Sequence, residues 1–155
     1  LDGLGTEPVV VSEQACPAGI ALVDTPDVDA VESDDRGTGP ALLDHADVWV
    51  AVLSPTRYAD RVAWDALRRA THAGVPTAVV LARATQATGP VGVSLARLMR
   101  DEGLLYAPLF VVPDGETDAG LLPREAVADV ARLLSVLAEH PDARAEIRDS
   151  RTALR

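Results

Sequence analysis

Apolar residues gather in five short runs along the chain: PVVVS at 8–12, GIALVD at 19–24, ADVWVAVL at 46–53, PTAVVLA at 76–82 and APLFVV at 107–112. Their near-continuous Val, Leu and Ala lack the alternation of a half-exposed strand, so each run reads as a strand covered on both faces. Helical spacing fills the intervals between the later runs. In YADRVAWDALRRATHAG, Tyr58, Val62, Ala63, Ala66, Leu67 and Ala70 share one face, and Gly74 is placed to stop the helix. VGVSLARLMRDEG repeats the arrangement with Leu95, Leu98 and Met99, ending at Gly103. PREAVADVARLLSVLAEH aligns Val127, Val130, Ala131, Leu134 and Leu137 and reads as the strongest helix. Strands alternating with helices predict an α/β fold with a parallel or mostly parallel sheet and helices on both faces.

In such a sheet, ligands collect at the carboxyl ends of the strands. Four loops fall there: 24–27, 54–60, 82–89 and 112–116. Ser54, Ala84 and Pro113 are expected at one edge together with Asp24. Segments 29–40 and 113–122, rich in Asp, Glu and Gly, read as mobile loops. After Pro141 a mixed-charge helix with a thin stripe of Ala143, Ile147 and Leu154 is expected.

Composition narrows the partners. The 155 residues suffice for one domain with a real core. A net charge of −10 argues against nonspecific nucleic-acid binding, which needs a basic face to displace counterions. The apolar runs are much shorter than the ~18 residues of a membrane helix, and no signal peptide is visible, so a cytoplasmic setting is expected. Membrane contact would come only through other parts of a longer protein. One cysteine, Cys16, excludes an internal disulfide. All 14 basic residues are Arg, and the first residue is Leu1, which reads as a segment of a longer protein.

The stretches LVDTPDVDAV, LLDHADVWVAVLSPTRYADRVAWDALRRA and APLFVVPDGETDAGLLP resemble the latter half of a translation-factor-type GTPase domain. More narrowly, they are similar to the dynamin-like or Era-like GTPases of actinobacteria. The resemblance runs from about Gly19 to Arg155, tightest in the first two stretches. It implies a P-loop NTPase-like half-domain over 1–140, without its first strand and phosphate loop, and the start of a C-terminal helical extension over 141–155. It also implies a GTP-binding, GTP-hydrolysing switch or mechanical domain using magnesium. A protein partner or self-association is left open.

By the same resemblance, nucleotide-binding positions fall on Asp24, Thr25, Pro26, Asp27 and Arg83. Asp24 takes the place of the aspartate that holds magnesium through water. Asp27 replaces the glycine of that D-x-x-G motif, and 28–40 corresponds to a switch loop ordered by the γ-phosphate. The departures are specific. A chain without lysine cannot carry G-x-x-x-x-G-K-S/T. Ala82 and Arg83 stand at the first two places of the guanine-reading N-K-x-D. Val28 stands where many relatives have a water-orienting Gln. GTPase activity is therefore expected of the full-length parent and not of this segment alone. The alternative is a degenerate GTPase-fold binding module without turnover.

Individual residues keep plainer readings. Asp24 suits a strand-end turn as well as a metal, and Asp27 and Asp29 suit solvated loop acids. The DVD sequence lies too far from its strand for a haloacid-dehalogenase-type site. A phospho-receiver role for Asp24 and Ser54 lacks its lysine. Arg57 either pairs with Asp60 or reaches a phosphate. Trp64 falls off the apolar helix face near Arg61 and Arg68, predicting a rim position under an Arg stem, with an interface anchor as second choice. His45, His72 and His140 share no metal-ligand spacing and read as surface or cap residues.

Overall fold

Among the described residues, the runs 46–53, 76–82 and 107–112 form strands, and all three are parallel. The computed structural model describes residues 16–24, 46–115, 117–118 and 120–141. Strand β1 (Trp49–Leu53) pairs with β2 (Thr77–Ala84), which pairs with β3 (Leu109–Pro113), giving the order β1-β2-β3. Helix α1 (Arg61–His72) connects β1 to β2, and α2 (Gly89–Asp101), preceded by a 3-10 turn at Gln86–Thr88, connects β2 to β3. A second 3-10 turn, Arg124–Val127, leads into α3 (Ala128–Glu139). The α/β arrangement is the one the alternating pattern predicts.

The pleat decides what each strand residue covers. Ala51 and Leu53 align with Val79 and Leu81, and this row packs with Trp64 and Leu67 of α1 and Leu95 and Met99 of α2. Both crossover helices thus cover one face of the sheet. Burying a side chain such as Leu67 or Leu95 there contributes about 1.5–3 kcal/mol. On the opposite face Ala78, Val80 and Val112 are also buried, whereas Val52 of β1 is 66% exposed. The segment Pro123–Val130 borders Phe110 and Val112 across a shallow cleft of about 400 Å³. Helix α3 and the turn before it dock loosely: Val127 of the turn and Val130, Leu134 and Leu137 of the helix are half-buried, and Ala131 is exposed despite its spacing.

Both glycine stops work as the sequence suggests. After α1, Gly74 (φ 68°) donates to Thr71 at 3.0 Å and Val75 donates to Ala70 at 2.9 Å. After α2, Gly103 (φ 82°) donates to Arg100 at 3.2 Å and Leu104 to Met99 at 2.8 Å. This paired bonding satisfies the last helix carbonyls, and Val75 and Leu104 are both buried behind it.

Two expectations are corrected. The run 19–24 is not a strand: after a turn closed by the Ile20 amide donating to the Pro17 carbonyl at 3.1 Å, residues 20–24 are irregular, with Leu22 and Val23 exposed. Apolar composition alone supplies no ladder hydrogen bonds, and no described strand pairs with this segment. Trp64 is not on a rim. It is 3% exposed, and its Nε1–H donates to the Tyr58 carbonyl at 2.8 Å. The run 8–12, the loop 29–40, His45 and the extension after Pro141 lie outside the described residues. Of the loop 113–122, a small antiparallel bridge between Asp118 and Leu121 is seen.

Candidate functional site

Because the strands are parallel, their carboxyl ends meet at one edge. Ser54 follows β1, Ala84 ends β2 and Pro113 ends β3, so these three expected neighbours share that edge. The link between the last two is direct: the Asp114 amide donates to the Ala84 carbonyl at 2.8 Å.

The loop after β1 is a double turn. Arg57 N–H donates to the Ser54 carbonyl at 3.0 Å and Asp60 N–H to the Arg57 carbonyl at 3.1 Å. The Ser54 and Thr56 hydroxyls are 3.1 Å apart. Asp60 holds two partners at once: one carboxylate oxygen accepts from Val62 N–H at 2.9 Å, capping α1, and the other accepts from Arg57 at 3.0 Å. These bonds, the backbone one first, hold the Asp60 carboxyl below the ordinary aspartate range. The Arg57–Asp60 pair is the structural option expected from the sequence. The cap was not, although an Asp directly before an apolar-periodic stretch is the signal for one.

The penultimate residue of β2, Arg83 (φ 58°), is the one non-glycine residue at positive φ among the described residues. It lies where the β2–β3 register shifts between Leu81 and Ala84. Arg83 is exposed, and no ion pair or side-chain hydrogen bond engages it among the described residues. The following turn is locked locally: Thr85 N–H donates to Thr88 Oγ1 at 2.7 Å, and that hydroxyl donates to the Thr85 carbonyl at 2.9 Å.

Of the remaining sequence-assigned residues only Asp24 is described. Asp24 is exposed at the end of the irregular segment 16–24, and no hydrogen bond or ion pair joins it to Ser54, Arg83 or Asp114. Thr25, Pro26 and Asp27 lie outside the described residues. No group of three or more His, Cys, Asp or Glu side chains suited to a metal occurs among the described residues. A single accessible carboxylate nevertheless fits magnesium, which keeps several of its waters and takes few protein ligands.

Away from this edge, Arg68 of α1 clasps Glu102 at the end of α2 through Nε and Nη2 (2.6 and 2.5 Å) and Asp65 through Nη1 (2.6 Å). The Arg68 contact lowers the Glu102 carboxyl below its ordinary range and raises the guanidinium's own pKa. No described helix is long and apolar enough to cross a membrane.

Comparison with protein-family models, curated proteins and solved structures finds no match to this chain. The fold class therefore stands on the strand order and register alone.

Proposed function

We propose that the chain is the latter part of a GTP-binding, GTP-hydrolysing domain of switch or mechanical type within a longer cytoplasmic protein. The observation that carries this reading is the shared carboxyl edge of three parallel strands, with the loops after Leu53, Ala84 and Pro113 gathered there. The sequence LVDTPDVDAV supports it further. In this reading Asp24 would hold magnesium, and Thr25, Pro26, Asp27 and Arg83 would border the nucleotide. Magnesium, when bound, offsets charge on the β- and γ-phosphates during phosphoryl transfer. The phosphate-cradling loop comes from elsewhere in the longer protein, since this chain has no lysine to offer.

The test is GTP hydrolysis by the longer protein against magnesium concentration. Asp24→Ala is expected to lower turnover at least about tenfold, or ~1.4 kcal/mol in the transition state, with little change in melting temperature. Asp29→Ala is expected to change neither. Equal and small effects from both variants would sink the reading.

A second reading is a GTPase-fold binding module without turnover, engaging a protein partner or a second copy. Ala82 and Arg83, in place of an Asn-Lys pair, favour it. It takes the lead if the longer protein binds nucleotide or partner but hydrolyses nothing.

A further inference from the structure

Arg83 combines features that ordinary structural roles do not require together. Its left-handed backbone is disfavoured for any residue with a Cβ, and a strand end needing only that conformation would be served by glycine. The guanidinium repays nothing locally. Arg57, Arg61, Arg68 and Arg132 hold acidic partners, whereas Arg83 has none among the described residues. Even Asp114, whose amide bonds the adjacent Ala84 carbonyl, does not pair with it. The register shift and the Ala84–Asp114 bond hold this backbone at the ligand-binding edge of the sheet. An outlier of this kind, with an unpaired cation at the edge, points to a bound anion.

We propose that Arg83 binds a phosphoryl group of a ligand seated at the carboxyl edge. The planar fork of the guanidinium matches two phosphoryl oxygens at once. The assignment deepens the nucleotide reading by giving Arg83 a phosphoryl contact. Its test needs neither magnesium nor hydrolysis, so either can fail without the other.

The experiment titrates the chain with pyrophosphate at fixed low ionic strength, reading heat of binding and the arginine Nε–H resonances. Arg83→Gly removes the guanidinium while relaxing the backbone; Arg97→Ala removes another exposed, unpaired arginine, on α2. Wild type and Arg97→Ala should bind alike, and Arg83→Gly at least about tenfold more weakly, while melting at higher temperature. A parallel titration with GDP separates sources: tighter binding than pyrophosphate indicates a nucleotide, and equal binding a simple phosphoryl ligand. Equal affinity in all three proteins, no saturable binding by wild type, or a lower melting temperature for Arg83→Gly would each overturn the assignment.

Discussion

The indole Nε1–H of Trp64 reaches back six residues to the carbonyl of Tyr58, at 2.8 Å, tying α1 to the loop that enters it. The side chain belongs to the buried cluster that also holds Leu53, Leu67 and Val79. One residue thus joins the sheet, the helix and the edge loop.

Trp64→Ala is expected to cost about 3–5 kcal/mol, as for a large core truncation. Trp64→Phe keeps most of the ring but leaves the Tyr58 carbonyl without this donor, costing about 1–3 kcal/mol. Urea unfolding measures both. A rim tryptophan would give values near zero for either change.

Two carboxyls make the fold acid-sensitive. Asp60 and Glu102 have folded-state pKa values below their ordinary 3.8 and 4.5, so the unfolded chain binds protons more readily. Their stabilisation is complete above those ordinary values and is lost as pH falls through the lower folded ones. Melting temperature should therefore decline below about pH 4.5, and the double variant Asp60→Asn, Glu102→Gln should decline less steeply. Thermal melts between pH 7 and 2.5 check this; an unchanged slope would remove both groups from the account.

The Arg68–Glu102 contact spans two helices, and a double-mutant cycle isolates it. Arg68→Met and Glu102→Gln should each destabilise modestly, with a favourable coupling that shrinks as salt is raised. A zero coupling at low salt would make the contact incidental.

Gly103→Ala tests the helix stop. Its Cβ would meet nothing within 4 Å, so the cost is that of the backbone at φ 82° alone, about 1–2 kcal/mol. Gly74→Ala, also at positive φ (68°), should carry a backbone cost of the same order, about 1–2 kcal/mol. Equal stability to wild type would mean that the last turn can rearrange.

Local signals made much of this legible from sequence. Unbroken Val-Leu-Ala runs marked β1, β2 and β3, and Gly74 and Gly103 marked two helix ends, although of the three strands only β2 is buried on both faces, Val52 of β1 and Val111 of β3 being exposed. The run GIALVD carries the same composition without forming a strand, since pairing depends on a neighbour that composition does not encode. Trp64 was misplaced for a related reason: helical spacing puts it off the main stripe, but the stripe is wide where α1 meets both the sheet and the Tyr58 loop. At the candidate site, parallel order made the shared edge predictable. The left-handed backbone of Arg83 was not, because no glycine or asparagine announces it.

The sequential order of the strands has a kinetic consequence. Trp49 pairs with Thr77 and Val79 with Leu109, so each pairing closes a loop of about 30 residues and neither depends on the chain's far ends meeting. The middle strand is needed for both closures, whereas either outer strand could detach alone. Amides of 78–81 should thus exchange with solvent only on global opening, and those of 50–53 and 109–112 by separate, cheaper events. A ribosome releasing this chain would complete the β1–α1–β2 unit before β3 emerged, leaving a two-strand intermediate with one side of its central strand briefly unpaired.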